Sequence, residues 1–353
     1  MKKLLIGVLA IAFAALVFGA IVYNSESGQD ALFKRAITSA MAPADSSGSF
    51  AGSLDGMRVV VCGSASPLGN DPNRAQACIA VVTPRHLFLF DVGAGSAARA
   101  NQAQLPMPRI NGVFLTHFHS DHIADLPAVN LNTWVRGRAD RLQVYGPTGV
   151  QSVVDGFNAA YRLDRGYRTA HHGSELLAPE RGPMQANAFA PGDVVWQDDA
   201  LKITSFSVEH NPIEPAVGYR VDYRGRSVVI SGDTNASENL FKAAKDADLL
   251  FHDALSRTLL DPMIEGAREA NLPVTPQIMT DVIDYHADAS TLPEAAAAAG
   301  VKQLVLYHLV PVPPIALAEK MFLRGLPDSV LLANDLDTFD LPAGSADILI
   351  HKP

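Results

Sequence analysis

Four metal-ligating side chains fall within six residues of this chain: His117, His119, Asp121 and His122, in the run Thr116-His117-Phe118-His119-Ser120-Asp121-His122. A strand would send alternate members to opposite faces, and a helix would spread them around its axis. A tight loop can instead fan them toward two neighbouring cations. Imidazole mixed with carboxylate suits Zn²⁺ best, although Mn²⁺ and Fe²⁺ accept the same donors. Lone histidines such as His86 and His351 read as core or surface residues.

The elements that must position such a cluster are legible as alternating apolar runs. MRVVVCGSASP, ACIAVVT, HLFLFDVG, INGVFLTH, RLQVYGP, LKITSFSVEH, AVGYRVDYRGRSVVISGDT, DADLLFHDA and LVLYH all read as strands. Tyr-Arg-Gly-Arg inside one of them predicts a hairpin turn, and LPEAAAAA before Gly300 predicts a helix with its C-terminal cap. Several strands finish on a ligand type: His117, His210, Asp233, His252 and His308. Ligands of open α/β architectures gather at one end of the strands, so these ends predict one shared site.

The cluster resembles the signature of the metallo-β-lactamase fold superfamily, and residues 57–350 follow that family's order. The resemblance implies an α/β fold, a four-layer αβ/βα sandwich of two facing mixed β-sheets with helices outside. It implies that His117, His119 and His210 hold one metal, that Asp121, His122 and His308 hold a second, and that Asp233 bridges them. GSASPLGNDPNRAQACIAVV and GYRVDYRGRSVVISGDT resemble the branch containing ribonuclease Z and metal-dependent arylsulfatases. There His252-Asp253-Ala254-Leu255 and His286-Ala287-Asp288 match two segments that support catalysis, each keeping its histidine and losing part of the pattern.

The chemistry implied is hydrolysis of an ester bond. Two zinc ions sharing a water would lower its pKa from about 16 toward 7 and supply a bridging hydroxide as nucleophile. Asp121 would ligate and orient, and His286 is the candidate acid, with His252 or Asp253 orienting it. His171 and His172 sit in a stretch that resembles a loop over the site.

Substrate is approached through departures from the branch. A basic loop expected near the first strand is replaced by Pro67-Leu68-Gly69-Asn70-Asp71-Pro72-Asn73-Arg74, and Leu309-Val310-Pro311 follows the last histidine. Among 353 residues the net charge is −9, with no lysine or arginine run after residue 3. These features argue against nucleic acid as a partner. The reading is therefore an arylsulfatase-like or phosphodiesterase-like hydrolase of a sulfate or phosphate ester. Lactone or amide (including β-lactam) hydrolysis and a ribonuclease Z-type endoribonuclease are the alternatives. A non-catalytic binding protein on the same fold, or an iron enzyme, would show itself in metal content.

Residues 4–23, LLIGVLAIAFAALVFGAIVY, follow Met1-Lys2-Lys3. Twenty residues at about 1.5 Å each span roughly 30 Å, enough for a membrane anchor. This predicts residues 1–23 as an anchor or cleaved signal, 24–55 as a flexible tether and 56–353 as the hydrolase domain. The body would face the periplasm or cell exterior, or be secreted after cleavage. Cys62 and Cys78 read either as two buried thiols or as a single bridge, and a homodimer stays open.

Overall fold

The computed structural model describes residues 19–41, 55–69 and 71–353. It divides into two units, Met1–Ser49 and Phe50–Pro353. In the first, helix Glu26–Met41 takes up the first half of the stretch predicted as a tether. Residues 1–18 lie outside the described residues, and with them most of the predicted anchor or signal segment. Among the described residues no helix is long and apolar enough to cross a membrane.

The second unit lays down two sheets in turn. First come β1 (Gly56–Gly63), β2 (Cys78–Val82), β3 (Leu87–Phe90), β4 (Gly112–Phe114), β5 (Leu142–Gly146) and β6 (Met184–Ala188). Then follow β7 (Val194–Gln197), β8 (Leu201–Ser207), β9 (Val217–Tyr223), β10 (Arg226–Ile230), β11 (Leu249–Leu255), β12 (Gln303–Val310) and β13 (Leu331–Leu332). The chain finally returns to the first sheet with β14 (Thr338–Pro342) and β15 (Leu349–His351). The spatial orders are β15-β14-β1-β2-β3-β4-β5-β6 and β13-β12-β11-β10-β9-β8-β7. Both sheets are mixed: β3 to β6 and β10 to β13 run parallel, and the remaining neighbours run antiparallel.

Period-two alternation explains the layers. On β1, Met57, Val59 and Val61 face a core shared with Tyr219, Val228, Ile230, Phe251 and Tyr307 of the other sheet. Val60 and Cys62 point the other way, toward Leu126, Val129, Val150 and Val154 of the covering helices. The second sheet repeats this, with Val229, Leu250 and Leu306 packing on Leu240, Leu292 and Ala296. Helices outside and two sheets inside give the four-layer sandwich. Cys62 and Cys78 are joined as a disulfide between β1 and β2.

Two local features differ from the sequence reading. The segment read as a loop over the site, residues 161–173, follows a first helix, Val150–Ala160, and is itself mostly a helix, Arg162–His172, which buries none of its side chains. His171 and His172 close that exposed helix. The predicted hairpin is present between β9 and β10, with Arg224 and Gly225 both at positive φ (46° and 79°), as a two-residue turn matched to strand twist requires.

Candidate metal centre

The site forms where the strands of both sheets stop. Leaving β4, Leu115 and Thr116 carry the chain to His117, and the short helix Ser120–Ile123 turns Asp121 and His122 back toward it. His210 follows β8 by three residues, and Asp233 follows β10 by three. Gly232 makes the last approach possible: at φ +63° it passes so close to Thr116 that an added Cβ would lie 2.8 Å from the threonine Cβ. His308 lies within β12 at a break in register with β11, where Asp253 pairs with Tyr307 but Ala254 pairs with Leu309. Its φ of +44° is rare for a residue with a side chain. The bulge re-aims the imidazole into the site, as bulges beside functional sites do.

The seven side chains predicted as ligands come together as two overlapping groups. His117, His119, His210 and Asp233 form one, and Asp121, His122, Asp233 and His308 the other, with ligand atoms in each within 4.8 Å of one another. His122 Nε2 lies 3.3 Å from Asp233 Oδ2 and 3.4 Å from Asp121 Oδ2. His308 Nδ1 is 3.4 Å from Asp233 Oδ1, and its Nε2 is 3.0 Å from Asp121 Oδ2. His117 Nε2 and His119 Nδ1 approach to 3.0 Å. All but His119 are buried.

The donors fit a pair of cations. His122 Nε2, His210 Nε2, His308 Nδ1 and Asp233 Oδ1 are fully buried and have no hydrogen-bond partner. Leaving a buried polar atom unpaired costs about 1–3 kcal/mol, so several converging on one volume mark a place for positive charge. The opposite ring nitrogens are engaged. His122 Nδ1 donates to Asp91 Oδ2 at 2.8 Å, His210 Nδ1 to the Tyr285 carbonyl at 3.0 Å, and His117 Nδ1 lies 3.1 Å from Thr116 Oγ1. Each outer contact fixes a ring so that its inner nitrogen faces the cluster, as metal-binding histidines require.

Electrostatics agree with this. Burial pushes the Asp233 carboxyl upward, but His122, His308 and His117 outweigh it and hold it well below the usual range. Asp121 behaves likewise, its burial overcome by His122 and His308. Burial lowers the His117 and His210 imidazoles, which keeps their lone pairs available, while Asp233 and its neighbouring carboxylates outweigh burial at His122 and His308 and raise both.

Beside the cluster lies a cavity of about 200 Å³ lined by Asp121, Asp233, His286 and His308 on one side and by Leu68, Val282, Tyr285 and Val310 on another. His286 Nδ1 donates to Asp253 Oδ2 at 2.7 Å. Burial pushes Asp253 up, and contacts from His252 and His286 more than reverse it, so the acceptor is ionised. His252 does not line the cavity. It is wholly buried, its Nδ1 faces the Asp253 carbonyl at 2.7 Å, and its ring stacks on Phe241. A larger cleft of about 540 Å³ lies elsewhere and contains none of these ligands. Its charged groups largely satisfy each other, with Asp248 paired to Arg226 at 3.0 Å and to Lys302 at 2.8 Å.

Asp91 is the residue that sequence reasoning missed. Its carboxylate accepts from Thr116 N, Thr116 Oγ1 and His122 Nδ1, each at 2.8 Å. HLFLFDVG is itself a strand finishing on an aspartate, so the strand-end rule contained the signal. Tyr285 and Leu68 were also missed, and neither carries a sequence signal.

A family profile described as a β-lactamase superfamily domain matches residues 86–309. A protein named Ribonuclease Z from Mycobacterium marinum is 34% identical over 258 residues, covering 72% of this chain and 87% of that protein. Among solved structures, the metallo-β-lactamase fold protein YhfI from Bacillus subtilis aligns with a TM-score of 0.59 at 17% identity, covering 81% of this chain and 100% of that one. Human tRNase Z, short form, aligns with a TM-score of 0.54 at 21% identity, covering 81% and 99%.

These relatives correct four expectations. An arylsulfatase-like hydrolase of a small ester, nucleic acid judged unlikely as a partner, a membrane as a partner, and an exported or periplasmic body all conflict with curated relatives named as ribonucleases. Most of the apolar stretch at residues 4–23, read as an anchor or signal, lies outside the described residues, and among the described residues no helix is long and apolar enough to cross a membrane. Net charge is an average over the chain: residues 134–181 carry seven arginines against five carboxylates although the whole is at −9.

Proposed function

This chain belongs to the metallo-β-lactamase superfamily, in its ribonuclease Z branch of metal-dependent hydrolases of ester bonds, and on that premise we propose that it cleaves the phosphodiester backbone of RNA with two bound zinc ions. The observation that carries the reading is the identity of about one third with a protein named Ribonuclease Z over 72% of the chain. The seven-residue ligand set gathered beside a His286–Asp253 pair supports it.

Under this reading His117, His119 and His210 would hold one ion and Asp121, His122 and His308 the other, with Asp233 placed to serve either group. Such a pair, when bound, polarises a phosphoryl oxygen and makes water a competent nucleophile near neutral pH. Asp121, at the cavity wall, orients the attacking water through its carboxylate. Asp91 and Thr116 keep His122 in the tautomer that presents Nε2 inward. His286 lines the same cavity beside His308. With Nδ1 committed to ionised Asp253, its Nε2 is the atom free to hand a proton to the departing oxygen as the P–O bond breaks. Asp253 is a positioning residue for that ring, and His252 packs behind Asp253 away from substrate. Residues 56–353 act as one catalytic domain.

The test uses the full chain loaded with zinc. A tRNA transcript with extra 3′ residues, an unstructured RNA, the matching DNA, an aryl sulfate and a β-lactam are each incubated with it. Cleavage of RNA at an internal bond, abolished by chelation, is the expected result. Turnover of the sulfate or the lactam with RNA left intact would overturn the proposal.

A further inference from the structure

The cavity beside the cluster has two chemically different sides. Asp121, Asp233, His286 and His308 line it with Ser66, His119 and Ser120; Leu68, Val282, Tyr285 and Val310 also line it, as a wall belonging to one apolar cluster. No lysine or arginine is among the described residues lining it. At about 200 Å³ it is smaller than the roughly 300–1,000 Å³ of pockets that enclose a drug-sized ligand. One ring system fills it.

The wall is held in place before any substrate arrives. Val312 N donates to the Leu68 carbonyl at 2.8 Å, and Ser66 Oγ donates to the Leu309 carbonyl at 2.6 Å, clipping the loop to the residue after His308. At the loop's far end Arg74 is spent inward. It donates to Ser64 Oγ at 2.8 Å, the Ala333 carbonyl at 2.6 Å and Glu319 at 2.7 Å. The loop therefore offers the cavity Leu68 and no guanidinium. Tyr285 is half-buried, with its ring 5.0 Å from His210 and 4.9 Å from His286, both centroid to centroid.

We propose that this wall is a subsite for one unstacked nucleobase beside the scissile phosphate, gripped by Tyr285 and Leu68 through apolar and aromatic contact. The inference rests on the phosphodiesterase reading above and adds to it the group that the site recognises next to the bond it breaks. Single-stranded bases are commonly splayed onto aromatic side chains, a contact indifferent to phosphate charge.

The zinc-loaded full chain is assayed on two diesters with the same leaving group, methyl p-nitrophenyl phosphate and uridine 5′-(p-nitrophenyl phosphate). The uridine diester should be favoured in kcat/KM by about tenfold or more, the low end for a base stacked on an aromatic ring. Uridine 5′-monophosphate should likewise inhibit more tightly than methyl phosphate. Tyr285→Ala and Leu68→Ala should each shrink the uridine-to-methyl ratio toward one, while Tyr285→Phe keeps most of it. Raising salt from about 50 mM to about 200 mM should leave the ratio in place, whereas a subsite built on phosphate contacts weakens steeply. Equal kcat/KM for the two diesters, or a ratio that survives both alanine variants, overturns the subsite and leaves the phosphodiesterase reading standing. Turnover of neither diester, nor of RNA, removes that reading and the subsite with it.

Discussion

Replacing Asp91 by asparagine changes one atom at a position that touches no substrate, and the structure says what should follow. Oδ1 accepts from Thr116 N, while Oδ2 accepts from both Thr116 Oγ1 and His122 Nδ1. An asparagine holding its oxygen toward Thr116 N presents an NH₂ group to His122, which must then accept at Nδ1. The imidazole proton moves to Nε2, the atom 3.3 Å from Asp233 and 3.4 Å from Asp121, and an N–H cannot ligate a cation. The flipped amide restores His122 but sets its N–H against that of Thr116, a buried unpaired donor worth about 1–3 kcal/mol. Both routes agree with the 10–100-fold loss of metal affinity typical of such outer partners, about 1.4–2.8 kcal/mol. The assay is a competition titration of Asp91→Asn against a chromophoric chelator. The second equivalent of zinc should weaken by that factor and the first should bind nearly as in the parent. Two equivalents bound with unchanged affinity would refute the argument that Asp91 sets the His122 tautomer.

Three further outcomes follow from the same geometry. His286→Asn should lower kcat on RNA by roughly 10²–10⁴-fold but much less on p-nitrophenyl diesters, whose leaving group needs no proton; equal losses would remove His286 as the acid. Asp233→Ala should hold fewer than two zinc ions by elemental analysis and lose turnover, and retention of both ions with full activity would end the two-ion reading. Asp198 is held down to about 2, since the N–H groups of Ala200 and Leu201 and the His86 imidazole outweigh its desolvation. Its folded value lies below the unfolded value of about 3.9, so the stability it contributes is present above about pH 4 and lost as pH falls toward 2. The thermal midpoint should thus drop more steeply over that window in the parent than in Asp198→Asn, and parallel curves would contradict the assignment.

The part of this site that sequence could reach is the part carried by short-range spacing. Four ligand types in residues 117–122 leave a chain few ways to avoid presenting them together, and the strand ends bearing His210, Asp233 and His308 point to one edge. The sandwich was expected from the resemblance to the metallo-β-lactamase fold, and strand alternation is consistent with two-faced sheets. What sequence could not reach depends on distances across the chain. Asp91 ends a strand as the ligands do, but its role depends on meeting His122 31 residues away, which the strand-end pattern alone does not show. His252 and Asp253 are neighbours, yet only Asp253 meets His286, because successive strand residues face opposite sides and both sides here are buried. The helix Arg162–His172 was read as part of a loop over the site because its many charged residues and Gly166 masked the helical spacing of Leu163, Tyr167 and Ala170.

Substrate was misread for a related reason. Losing a basic loop was taken to mean losing RNA, an inference from the charge of residues 67–74 that ignored where those side chains point. Arg74 is present in that loop and turns inward to Ser64, Ala333 and Glu319, so even a retained arginine need not face the cavity. Conversely, Leu68 reads as an uninformative apolar residue until the fold sets it opposite the ligand cluster. Charge composition constrains how a polyanion can be held, since long-range attraction needs cations somewhere on the surface. It does not dictate that they stand at the scissile bond. A site whose ligand cluster concentrates positive charge once its ions are bound has less need of lysine or arginine around it, and an apolar wall there can select the base while more distant arginines meet the backbone.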